Sequence, residues 1–225
     1  MKHRSFLGPV FLISTLVCLP LLSQRAADPN PGRFDEAIAQ FAEADAEHFF
    51  GKGGIVFVGS SSIRRLNISE VFPGLRALNR GFGGSQISDV NHFIEETVLQ
   101  YEPSITVMYC GSNDLWARKP AQQVIEDFRE FTQQLFERVP DGKLLVLASR
   151  PSPKRAAIME TELAFNYLLE IEAIKDERIT YLRGACDRFF DKDGNFHLEL
   201  FDKDMLHMSD KGYDVWNEIL SPHLK

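Results

Sequence analysis

Four short stretches hold residue types that together could do nucleophilic chemistry. Gly59-Ser60-Ser61-Ser62 is a serine-rich turn directly after an apolar run. A serine there can expose its hydroxyl in the positive field of a helix N-terminus, or it can simply cap that helix. Ile63 stands where a Gly-x-Ser-x-Gly elbow needs its second glycine, so this is not that motif. Asn79-Arg80-Gly81-Phe82-Gly83-Gly84-Ser85 reads either as a backbone N–H donor to an oxyanion or as a tight turn into a helix. Gly111-Ser112-Asn113-Asp114 offers a side-chain amide, which can face a developing negative charge or close an Asx-turn. Asp204-Met205-Leu206-His207 sets an acid three residues before a histidine. On one turn such an acid can orient the imidazole and stabilise its protonated form; otherwise this is a loop with an exposed histidine. His48, His92, His197 and His223 have no such arrangement and read as surface or packed histidines.

The elements that must position these stretches follow from the apolar pattern. Phe34 to about Phe50 has apolar residues at helical spacing and ends at Gly51, Gly53 and Gly54. Ile55-Val56-Phe57-Val58 is a continuous apolar run, as a strand covered on both faces requires. Further strands are predicted at Ala77-Leu78-Asn79, Ser104 to Cys110, Leu144 to Ala148 and Ile179 to Leu182. Helices are predicted over Asp89 to Gln100, Ala121 to Val139 behind Pro120, Ile158 to Ile174, and Ser209 to Leu220 with Ser209 as N-cap. Short strands alternating with helices imply βα units around a parallel sheet. Five strands in this order suit an α/β fold: a flavodoxin-like, three-layer α/β/α sandwich on a five-stranded parallel sheet. Three of the four stretches follow strands one, two and three, and the fourth precedes the last helix. Sites in such sheets lie beyond the carboxyl ends of the strands.

Taken together and in this order, the four stretches resemble the SGNH, or GDSL, hydrolase superfamily from about Gly54 to Leu220. The resemblance implies that Ser61 is the nucleophile and that Asp204 and His207 are the acid and base. It implies an oxyanion hole from the Ser61 and Gly84 backbone N–H groups and the Asn113 amide, with no cofactor and no metal. The family commonly has Asp where Ser60 stands; that Asp is not one of the three catalytic groups, and a similar Ser-Ser-Ser turn occurs in a subgroup. The implied activity is a serine ester hydrolase acting through an acyl-enzyme on short-chain acyl esters, with acetyl groups on carbohydrates foremost. Thioesterase or lysophospholipase activity could use the same site. A non-catalytic flavodoxin-like ligand-binding domain, with the serine-rich turn cradling phosphate, is the alternative from another class. No long apolar lid segment is present, which disfavours a long-chain lipase. Arg64, Arg65, Arg80 and Arg150 fall near strand ends and could meet substrate or make structural pairs. Trp116 could line a sugar or acyl pocket or pack inside.

Composition narrows the partners. The chain has 225 residues, 44% hydrophobic and 25% charged, which is the balance of a folded domain. Met1-Lys2-His3-Arg4 and the apolar run Phe6 to Leu22 read as a signal peptide or N-terminal anchor over 1–27, leaving 28–225 as one hydrolase domain. Segment 1–27 holds three of the 25 bases and no acid, so the domain has 22 bases against 32 acids, a net of −10. No Lys/Arg cluster offsets that charge, so nucleic acid is not an expected partner. Small-molecule or carbohydrate esters are, and no membrane partner is expected beyond the possible anchor. The expected location is exported: periplasmic or secreted, or held at the membrane by that segment. The sequence carries no signature of a particular oligomer. Cys110 and Cys186 could pair, but read as two small buried hydrophobes.

Overall fold

The computed structural model describes residues 25–224. The first helix, α1 (Asp35–Glu47), follows a 3-10 turn at Pro31–Phe34 whose N-terminus is capped by the Asn30 side chain. The first strand, β1 (Ile55–Gly59), is buried along its whole length. It leads straight into a single turn of helix, α2 (Ser61–Arg64), and a second short one, α3 (Ile68–Val71). After β2 (Ala77–Gly81) come α4 (Ile87–His92) and α5 (Ile94–Thr97), then β3 (Ile105–Tyr109), again wholly buried. The rest of the chain is α6 (Ser112–Trp116), α7 (Ala121–Arg138), β4 (Lys143–Leu147), α8 (Met159–Lys175), β5 (Ile179–Leu182), α9 (Gly184–Asp187) and α10 (Asp210–Leu220).

The five strands form one parallel sheet in the order β2-β1-β3-β4-β5. β1 pairs with β2 from Ile55↔Ala77 to Gly59↔Gly81 and with β3 from Ile55↔Ile105 to Gly59↔Tyr109. The expected α/β/α architecture is therefore present. Side chains alternate between two cores. Val56 and Val58 enter one with Phe128, Phe131 and Phe165 from α7 and α8; Phe57 enters the other with Tyr213 and Trp216 from α10. Because both faces are covered, the central strands are apolar without alternation. Strand order reverses at β1, between β2 and β3, which opens a crevice at the carboxyl ends of β1 and β3.

One predicted helix is broken. Asp89 to Gln100 forms α4, α5 and a 3-10 turn at Leu99–Tyr101, with non-helical backbone at Phe93 and Val98. Of the residues buried there, Val90, Phe93, Ile94, Val98 and Tyr101 keep helical spacing and would share one stripe, while Leu99 falls outside it. The non-helical backbone at Val98 lets Leu99 join them in the same core.

Cys110 and Cys186 are free and buried, and burial pushes both thiols up, Cys186 to about 12. Most of the targeting segment lies outside the described residues. Of its last residues, Arg25 donates to Asp127 at 2.5 Å and the Ala26 N–H to Gln123 Oε1 at 2.8 Å, both on α7. No described helix is long and apolar enough to cross a membrane.

Candidate active site

The turn between β1 and α2 is tightly determined. Gly59 has φ +135°, and a Cβ there would stand 2.0 Å from the Tyr109 carbonyl oxygen. That close approach lets the Ser60 N–H donate to Tyr109 O at 3.1 Å and clips the turn onto β3. The side chain of Ile63 is wholly buried and holds α2 down, while Tyr213 of α10 donates its hydroxyl to Ser62 O at 2.9 Å. Ser61 is left at the first position of α2, half-buried, with its backbone N–H making no protein hydrogen bond among the described residues.

The loop before α10 comes to meet it. His207 Nε2 lies 2.9 Å from Ser61 Oγ, although the two residues are 146 positions apart. His207 Nδ1 lies 2.6 Å from Asp204 Oδ2. The other carboxylate oxygen, Oδ1, accepts from the Leu206 and His207 backbone N–H groups, each at 2.9 Å. Burial by itself would raise the Asp204 carboxyl. The hydrogen bonds from the His207 ring and from the two N–H groups prevail and hold it well below the usual carboxylate range. The loop is anchored from outside by Arg150, whose Nη2 donates to Leu206 O at 3.0 Å, and by the Lys154 N–H, which donates to Met205 O at 3.0 Å.

Across the crevice, Asn113 opens α6 after β3. Its Nδ2 donates to Ser85 O at 2.9 Å, and its Oδ1 accepts from Arg155 Nη2 at 2.9 Å. Gly84, beside Ser85, is exposed at φ +90°, and its N–H donates to no acceptor among the described residues. Asp114 ties these two segments together from behind. Its carboxylate accepts from the Ile87 N–H at 3.2 Å and from Lys119 Nζ at 3.2 Å; Lys119 also reaches the buried Asp127 and, at the surface, Asp28.

Ser60, Ser61, Ser62, Asn113, Arg155 and His207 line one small cavity of about 20 Å³, with Tyr109 and Arg150 also on its wall. The fold thus brings Ser61, Asp204 and His207 into one hydrogen-bonded chain, with Asn113 on the same cavity and Gly84 next to the residue that Asn113 bonds. Among the described residues, no group of three or more His, Cys, Asp or Glu is set to hold a metal ion.

The family follows from one observation. A profile of the GDSL-like lipase/acylhydrolase family matches residues 63–215, more than half of the chain.

The chain belongs to the GDSL-like lipase/acylhydrolase family.

It is accordingly a carboxylic ester hydrolase, which sets aside a non-catalytic flavodoxin-like binder. The matched stretch includes Gly84, Asn113, Asp204 and His207 and begins two residues after Ser61. No curated protein sequence matches this chain significantly. Solved structures share its fold at low identity. A proposed platelet activating factor from Streptococcus pneumonia superposes with a TM-score of 0.76 at 18% identity, over 85% of this chain and 92% of that one. A GDSL-like lipase from Bacteroides thetaiotaomicron gives 0.65 at 17%, over 87% and 97%. An acetylxylan esterase from Geobacillus stearothermophilus gives 0.62 at 14%, over 77% and 95%.

The arginines singled out by position divide. Arg80 is buried and structural: its Nη2 donates to Asp45 at 2.5 Å and its Nε to the Tyr101 hydroxyl at 2.9 Å. Arg65 lies 3.4 Å from Asp202 and 3.9 Å from Asp204. Arg150 reaches the cavity, packed between the rings of Phe189 and Phe201. Trp116 is 47% exposed, with the Arg155 guanidinium 5.3 Å from its ring centre. Sequence reasoning passed over Arg155 and Glu162. The available signal for Arg155 was its place in Pro151-Ser152-Pro153-Lys154-Arg155, a proline-punctuated loop at the carboxyl end of β4.

Proposed function

We propose that this acylhydrolase removes acetyl or similarly short acyl groups from carbohydrate esters, with Ser61 as nucleophile, His207 as base and Asp204 as orienting acid. The observation that carries this reading is the unbroken chain Ser61 Oγ to His207 Nε2 at 2.9 Å and His207 Nδ1 to Asp204 Oδ2 at 2.6 Å. An ionised Asp204 keeps the proton on Nδ1, so Nε2 is free to accept the Ser61 hydroxyl proton as Oγ attacks the ester carbonyl. The oxyanion then faces the free N–H groups of Ser61 and Gly84 and the second amide hydrogen of Asn113. His207 returns the proton to the leaving alcohol, and the same base activates the water that releases the acid from Ser61.

Two features support a short acyl group on a sugar. A cavity of about 20 Å³ has room for little more than a water molecule or a methyl group. Trp116, partly exposed beside Asn113, offers an aromatic face of the kind on which a sugar ring can lie. Fold relatives include an acetylxylan esterase and a family 3 carbohydrate esterase from Clostridium thermocellum. The leader-like segment over 1–27 supports placing the reaction outside the cytoplasm.

The test is a panel of aryl esters of rising chain length together with acetylated xylo-oligosaccharides, run on wild type and Ser61→Ala. Turnover should peak at acetyl and fall steeply beyond butyryl. The variant should lose at least ~10⁴-fold in kcat with an unchanged Tm. Retained turnover in Ser61→Ala would remove Ser61 from its role, and a preference for octanoyl esters would remove the acetyl assignment.

A further inference from the structure

The hydrogen bonds around Asn113 have a definite polarity. Glu162 on α8 is fully buried, and its Oε1 accepts from the Ser112 hydroxyl at 2.7 Å and the Ser149 hydroxyl at 3.1 Å. Having donated to Glu162, Ser112 Oγ accepts from Arg155 Nη1 at 3.1 Å. The same guanidinium donates through Nη2 to Asn113 Oδ1 at 2.9 Å. Asn113 in turn donates through Nδ2 to Ser85 O at 2.9 Å. A guanidinium can only donate and a backbone carbonyl can only accept. With Arg155 on one side and Ser85 on the other, only one amide orientation satisfies both. That orientation leaves the second Nδ2 hydrogen for the cavity.

From this we infer that Arg155 is a positioning residue for the side-chain donor of the oxyanion hole. The inference rests on the esterase reading above and goes beyond it. Without Arg155, Oδ1 loses its partner and the amide is free to flip, which would turn lone pairs toward the developing negative charge. The guanidinium also draws electron density from Oδ1 and makes the remaining N–H a stronger donor. Its own position is fixed from three sides: Ser112, Asn113 and the face of Trp116. Its charge meets the buried Glu162 carboxylate through the bridging Ser112 hydroxyl.

A role through Asn113 separates from a merely structural one in a double-mutant cycle. Arg155→Met should lower kcat on an acetyl ester by on the order of 10²–10³-fold, the loss expected for one oxyanion donor, with KM within about twofold. Asn113→Ala should do the same. The double variant should be no more than about threefold worse than Asn113→Ala alone, because the second change removes nothing that still acts. Arg155→Lys, which keeps the charge and one donor, should recover part of the loss and serves as the second variant if Arg155→Met does not fold. The rate at which a fluorophosphonate labels Ser61 should follow the same order, since its phosphoryl oxygen occupies the same hole. Independent, multiplicative losses would overturn the inference, as would a change confined to KM, which would make Arg155 a substrate contact. A wild type whose Ser61 does not react with the phosphonate overturns the esterase reading and takes the inference with it. A reactive wild type with an unimpaired Arg155→Met overturns the inference alone.

Discussion

Asp204 shows how much one short side chain can settle. Its Oδ1 caps the turn through the Leu206 and His207 N–H groups, while Oδ2 takes the His207 ring. Asn in its place would still accept at Oδ1 but would present an NH2 group to Nδ1. The imidazole would then carry its proton on Nε2, facing Ser61, in the tautomer that cannot take the serine proton. Asp204→Asn should therefore fold normally and lose on the order of 10⁴-fold in kcat. Steady-state kinetics beside a thermal melt would check this, and a loss below tenfold would deny Asp204 its orienting role. The pairing of Asp204 with His207 was legible in the sequence, because three residues on one turn leave few geometries. Their meeting with Ser61, 146 residues away, was not.

At the scale of the element, Ser61, the proposed nucleophile, depends on a turn that no side chain other than hydrogen fits. β1 ends at Gly59 with φ +135°, where a Cβ would stand 2.0 Å from Tyr109 O. Gly59→Ala should cost about 3 kcal/mol or more, combining backbone strain with a clash against a strand that cannot yield. Chemical denaturation would measure it, and a cost under 1 kcal/mol would mean that the turn is softer than its geometry. The strand and turn were readable from the apolar run and the residues after it. The break of Asp89 to Gln100 into α4 and α5 was not, since the apolar residues Val90, Phe93, Ile94, Val98 and Tyr101 keep helical spacing straight through it.

Across the whole molecule, acidic groups are buried behind the site. Burial raises Asp114 to about 7 despite the opposing Lys119 ammonium. Asp89, Asp127 and Glu162 are also raised, each chiefly by burial. The native state thus holds protons that the unfolded chain gives up near the ordinary carboxylate value of roughly 4. Stability from such groups is full below that value and is lost as pH rises through the raised one. Wild type should therefore lose Tm relative to Asp114→Asn between about pH 4 and 7, and the difference should level off above that. A difference that stays constant across the window would show that Asp114 titrates normally. The Lys119 ammonium gathers segments far apart in sequence, meeting Asp28, Asp114 of α6 and Asp127 of α7.

The sequence by itself determined the fold class, because strands covered on both faces must be apolar throughout and the helices between them must alternate with strands. It also determined which stretches follow strand ends and that one acid precedes one histidine by three residues. Only the tertiary structure decided the strand order, and with it the crevice between the ends of β1 and β3 where Ser61 and Asn113 face each other. It likewise decided that Arg80 is spent on Asp45 and Tyr101 while Arg155, unremarkable in sequence, holds Asn113. Patterns along the chain follow burial and local turn geometry. Hydrogen bonds between residues far apart in sequence leave no periodic trace, because each is set by the packing of whole elements rather than by the spacing of neighbours.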